Sequence, residues 1–154
     1  MTVISSQSLA DFIDAVAADR PAPGAGAAAA VCLALAAGCA AKALRISARH
    51  RGGDDALAAA ADRVQALARA ALDGADRDAA DFTALLHAHP GDHDPERALQ
   101  ADGQALLALA TEMRRLVHRH QSAVIATLAG DLDAAVALSH AAEQVQRRNL
   151  AEMG

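Results

Sequence analysis

The chain contains no tryptophan and no tyrosine, and its only aromatic carbocycles are Phe12 and Phe82. A surface on which nucleic-acid bases stack cannot be built from so few rings. Positive charge is also in short supply. Fourteen Lys and Arg stand against nineteen Asp and Glu, for a net charge of −5. Without a basic field, nucleic acid is excluded as a partner class. The two cysteines, Cys32 and Cys39, are spaced to share a helical face but are too far apart to bond within one helix. They read as small apolar side chains of a reducing compartment. Nothing at the N-terminus has the basic-then-apolar pattern of a secretory leader, so the expected location is the cytoplasm. β-Branched residues are sparse and Ala and Leu abound, which points to an all-α protein. A length of 154 residues suits one domain over residues 1–154 with a single core.

What is abundant is concentrated in residues 22–41, where no side chain is charged and none is polar except the two cysteines. Pro21, Pro23, Gly24 and Gly26 open this stretch and an Ala-rich run follows. Pro23 suits a first helical turn. Gly24 and Gly26 carry no Cβ, so backbone or ligand can approach closely. The bare N–H groups of such a helix start can also receive an anion. Read alone, the stretch is a buried central helix with a tight entry turn. Its length also suits a membrane span, but Val31, Leu33 and Leu35 are its only bulky aliphatics. A core helix, with no membrane partner, is therefore expected.

Along the chain, Ser8 and Asp11 resemble a capping box, and Leu9, Phe12, Ile13 and Val16 recur at helical spacing. Residues 19–21 end that first helix. The second is expected from about Pro23 to about Arg49, stopped by Gly52 and Gly53. Asp54 or Asp55 caps a third, carrying Leu57, Val64, Leu67 and Leu72, which Gly74 is expected to kink or break before the pattern resumes at Phe82 and Leu86. Residues 89–95 form a loop, and Asp94 with Pro95 starts a fourth helix. Its apolar stripe is expected to run from Leu99 to Leu128, with Gly130 closing it and Asp131 capping a fifth. The expected architecture is a bundle of about five helices.

Three groups of side chains could carry chemistry. Asp78 lies one helical turn before Phe82, on the apolar stripe. A carboxylate there is costly unless partnered, which makes it a candidate general base or cation stabiliser, unless it is simply a solvated helix carboxylate. Lys42, Arg45 and Arg49 share one helical face. They are either a solvated helix end favoured by the dipole or, with Arg51, a seat for a carboxylate-bearing ligand. His87, His89 and His93 invite a metal reading. However, two histidines two residues apart on a helix point to different faces, so no metal site is expected.

These residues also carry a resemblance. The segments Leu9-Ala10-Asp11-Phe12, Pro21-Ala22-Pro23-Gly24-Ala25-Gly26 and Ala43-Leu44-Arg45-Ile46-Ser47, with Arg49-His50-Arg51 after them, resemble the opening of the cyclodeaminase/cyclohydrolase family. This is the family of the C-terminal domain of formiminotransferase-cyclodeaminase and of bacterial methenyltetrahydrofolate cyclohydrolases. Asp78-Ala79-Ala80-Asp81-Phe82 is similar to its Asp-Ala-x-Ala-Phe, and Gly130-Asp131-Leu132 to the start of its Ser-Asp-x-x-Val-Ala. The resemblance implies a homodimer and tetrahydrofolate one-carbon chemistry, with a folate derivative as substrate and no tightly bound cofactor. It makes Asp78 and Asp131 the catalytic candidates. Pro23, Gly24, Gly26 and Phe82 would meet the substrate, and Arg45, Arg49 and Arg51 would meet its glutamate tail. Ala25 and Ala27 stand where the family has a glycine and a serine. Those departures keep a second expectation open: a non-catalytic family member, acting as a dimeric helical module that binds a ligand or a protein.

Overall fold

The computed structural model describes residues 3–153 and is helical among them, without strands. A single 3₁₀ turn, Ile4–Ser6, precedes α1 (Leu9–Ala17), α2 (Ala25–His50), α3 (Asp55–Leu86) and α4 (Asp94–His120). Two further 3₁₀ turns, Gln121–Ala123 and Ala126–Leu128, lead into α5 (Ala129–Glu152). The all-α bundle of five helices expected from the sequence is what forms.

Local chemistry accounts for most of the boundaries. Ser8 caps α1, its Oγ accepting from the Asp11 N–H at 3.1 Å. Extended backbone at Gly24 ends the bend over residues 19–23, and its carbonyl accepts the first bond of α2 from Ala28 N–H at 3.0 Å. The helix therefore starts two residues after Pro23. Gly52 and Gly53, at φ +76° and +92°, turn the chain back, and Asp54 caps α3 through the N–H groups of Ala56 and Leu57.

Two expectations are corrected. Gly74 does not break α3, which runs unbroken for 32 residues. A helical glycine costs only about 1 kcal/mol, and the buried Leu67, Ala68, Ala71, Ala75 and Ala79 hold both flanks. The fourth helix ends at His120, not near Leu128, and Gly130 lies inside α5. The tie that takes residues 121–128 out of the helix is tertiary: Ile125 N–H donates to the Oγ of fully buried Ser47 at 3.1 Å.

The core is built on α2, which packs chiefly against α3 and α5, while α4 closes the far side against both. Ala27, Ala36, Ala40, Ala43 and Leu44 of α2 are fully buried, against Ala61, Val64, Ala71 and Ala75 of α3 and Ala135 of α5. Such small side chains let helix axes approach closely. This helix is long and apolar enough to cross a bilayer, with a mean hydropathy of 1.9, but more than half of that window is buried in the bundle. Its remaining side carries Val31, Cys32, Leu35, Gly38 and Cys39, and Leu35 is 52% exposed. The cysteines are free and half-buried on this stripe rather than in the core. Burial raises the Cys32 thiol pKa.

Candidate active site at the start of the central helix

The first turn of α2 and the last third of α3 touch where Gly26 faces Asp78. A Cβ on Gly26 would stand 2.0 Å from Asp78 Oδ1 and 2.6 Å from its Cγ. Only a glycine lets the carboxylate lie this close to the helix. Ala27 N–H donates to that carboxylate, which sits where the α2 dipole favours negative charge. Burial nevertheless wins. It raises the Asp78 pKa to about 6 against the pull of the Ala27 N–H, and the charges of Asp102 and Asp81 add to the rise. Asp81, one turn on, hydrogen-bonds Asp102 and is also raised, chiefly by burial, while Arg77 opposes the rise. Arg77 Nε in turn donates to Asp102 at 2.9 Å. The result is a carboxylate that is ionised near neutrality yet takes a proton more readily than an ordinary aspartate, as a general base requires.

Asp78 opens on a cavity of about 380 Å³. The turn over residues 21–26 forms one wall, Phe82 and Leu99 another, and Gln146, Asn149, Glu152 and Met153 at the end of α5 a third. The volume suits a small organic ligand. A larger cleft of about 810 Å³ lies under α1, on the other side of the Pro23 turn. Two of its three carboxylates are engaged, Asp11 accepting from Ser8 Oγ and Asp76 from Ile4 N–H, and Asp78 does not line it. For that reason the smaller cavity is the candidate site.

Gly24, Gly26, Asp78 and Phe82 therefore come together as the sequence predicts, while Pro23 faces the neighbouring cleft. The other predicted residues lie elsewhere in the subunit. Asp131, in the first turn of α5, accepts from Lys42 Nζ at 2.9 and 3.1 Å. Arg45 pairs with Asp62 at 3.1 Å, Arg51 with Asp54 at 3.6 Å, and Arg49 is exposed in the last turn of α2. At 1.5 Å rise per residue, Lys42 lies about 24 Å and Arg49 about 35 Å along α2 from Gly26. No lysine or arginine lines the 380 Å³ cavity among the described residues.

Sequence reasoning missed the α5 wall. The buried stripe of that helix is Leu132, Ala135, Ser139, Ala142 and Gln146. A glutamine at the last step of a regular apolar stripe was the available signal.

The backbone resembles that of formiminotetrahydrofolate cyclodeaminase from Thermotoga maritima. The TM-score is 0.86 at 21% identity, over 97% of this chain and 79% of that one. At that identity the likeness concerns the fold. No curated protein matches the chain. The formiminotransferase-cyclodeaminase family model, however, matches residues 8–149, a span that takes in the glycine turn, Asp78, Phe82 and, from the α5 wall, Gln146 and Asn149. On that match, the chain belongs to the formiminotransferase-cyclodeaminase family.

Proposed function

We propose that this protein acts on the one-carbon bridge of a tetrahydrofolate derivative, with Asp78 as the proton acceptor. In methenyltetrahydrofolate the bridging carbon between N5 and N10 is a cationic amidinium. Water adds to that carbon and a proton leaves to Asp78. The tetrahedral intermediate then opens its C–N5 bond: N5 takes up the proton from Asp78, and the hydroxyl proton is released as the C=O of the N10-formyl product forms. In the related cyclodeamination, N10 attacks the formimino carbon and ammonia is expelled, which forms the same amidinium. In both reactions a carboxylate beside the carbon stabilises the cation. The observation that carries the reading is Asp78 itself: held by Ala27 N–H against Gly26, raised to about 6, and open on a cavity with a glycine wall.

The folate glutamate tail needs cations, and a second subunit would supply them. The half-open stripe of α2 is centred on Leu35 and Gly38, close to the middle of the helix. Two such helices packed antiparallel would bring the partner's Arg49 beside this subunit's Gly26. A Cβ at Gly38 would meet nothing within 4 Å, so the stripe has room for a close helix crossing.

The test begins with calorimetric titration of folates, then follows loss of methenyltetrahydrofolate absorbance. Light scattering should give twice the 15.7 kDa subunit mass, and Leu35→Glu should yield monomers that bind glutamylated folate at least tenfold more weakly. Arg49→Ala should raise KM with little change in kcat, as loss of uniform binding does. A protein that binds no folate at millimolar ligand ends the enzyme reading. The non-catalytic dimer, which Ala25 and Ala27 favour, would then be the better account.

A further inference from the structure

The described residues include three buried polar side chains: Ser47, Ser139 and Gln146. The serines are satisfied. Ser47 Oγ accepts from Ile125 N–H at 3.1 Å, and Ser139 Oγ donates to the Val136 carbonyl at 2.9 Å. Gln146, only 3% exposed, has no hydrogen-bond partner among the described residues. Among the described residues no buried side-chain nitrogen or oxygen is both sealed and unpartnered, so its amide must reach open space. The openings it lines are the 380 Å³ cavity and a narrow crevice behind it, and Asp78 lines both.

The position of this amide is built in. A Cβ on Gly103 of α4 would stand 2.4 Å from Gln146 Nε2 and 2.8 Å from Leu150 Cδ2. The missing side chain lets the glutamine lie flat against α4. The amide opens only on these spaces, so a ligand in the cavity would be its hydrogen-bond partner. A carboxamide presents one acceptor and one donor side by side. That pair is complementary to a lactam, whose N–H and C=O also lie side by side.

We propose that Gln146 hydrogen-bonds the lactam edge, N3–H and C4=O, of the substrate's reduced pterin ring and so determines specificity for 4-oxo folates. The proposal rests on the folate reading of the site. Gln146 would hold the ring while Asp78, in the same cavity, meets the bridge. A carboxylate in place of the amide could only accept. It would repel C4=O and prefer the amidinium edge of a 2,4-diaminopteridine.

The experiment is calorimetric titration of wild type, Gln146→Leu, Gln146→Asn and Gln146→Glu, with circular dichroism to confirm folding. One ligand is 5-formyltetrahydrofolate and the other a 2,4-diamino folate analogue. Gln146→Leu should weaken 5-formyltetrahydrofolate by on the order of tenfold to a hundredfold, as an unpaired polar edge does. If the leucine variant does not fold, Gln146→Asn, which keeps the amide but shortens its reach, should still weaken it at least fivefold. Gln146→Glu should reverse the preference toward the diamino analogue. Folded variants that bind 5-formyltetrahydrofolate within twofold of wild type overturn this proposal and leave the folate reading standing. A wild type that binds neither ligand overturns both.

Discussion

The two ends of α2 carry opposite charge in opposite settings. At its start, Asp78 from α3 lies against bare glycine backbone, half-buried, with its pKa raised to about 6. At its far end, Lys42, Arg45 and Arg51 pair with Asp131, Asp62 and Asp54 in contact with solvent. Both arrangements suit the helix dipole. They differ in water. Around the three cations solvent screens each pair, which limits such a contact to about 0–1 kcal/mol. Around Asp78 the solvent is partly excluded, so the same residue type changes its proton affinity and becomes useful for chemistry. Burial, more than residue identity, separates a site from a solvated helix end.

The sharpest way to break this comparison is Asp78→Asn. It keeps the shape and removes the base, so turnover should fall about 10²- to 10⁴-fold while circular dichroism stays unchanged. A variant within tenfold of wild type would remove Asp78 from the chemistry. Gly26→Ala attacks the same end from the other helix. Its methyl would stand 2.0 Å from Asp78 Oδ1, so the carboxylate must swing away. Overpacking of that kind costs about 1–3 kcal/mol, and activity should fall with it, as measured by denaturant midpoint and turnover on one preparation.

Titration sharpens the contrast further. The folded-state pKa of Asp78 is raised from 3.8 to about 6, so between those values the native state holds more protons than the unfolded one. Its contribution to stability is greatest below pH 4 and is lost as pH rises through 6. Wild type minus Asp78→Asn should therefore show stability falling with pH across that window. Turnover should rise across the same window as the base loses its proton.

Much of this contrast was legible in the sequence. The i, i+4 spacing of Asp78 and Phe82 and the paired glycines after Pro23 mark the buried end, because both depend on local geometry. The bundle was legible from its apolar stripes for the same reason. Three things were not. Residues 121–128 leave the helix because Ser47, 78 positions away from Ile125, offers a hydrogen bond, and no local pattern encodes that. Gln146 falls at helical spacing on the α5 stripe, but its burial depends on the approach of α4 at Gly103, which no local pattern encodes. Asp131 pairs with Lys42, 89 positions away, a contact that no local pattern encodes.

The smallest expected effect tests the solvated end. Arg45 and Asp62 meet at 3.1 Å, but their side chains are 44% and 79% exposed. Holding two long side chains in one geometry costs entropy, and water offers both groups nearly equivalent partners. A double-mutant cycle of Arg45→Ala and Asp62→Ala, read by denaturant unfolding, should give a coupling below about 1 kcal/mol. Raising the salt toward 1 M should reduce it further, because the screening length drops to about 3 Å. The unfolding midpoint of either single variant should barely move. A coupling well above that range, or one indifferent to salt, would mean that Arg45 is shielded from water in solution. A second subunit lying along α2 is the arrangement that would shield it, and repeating the cycle on the Leu35→Glu monomer would separate the two cases.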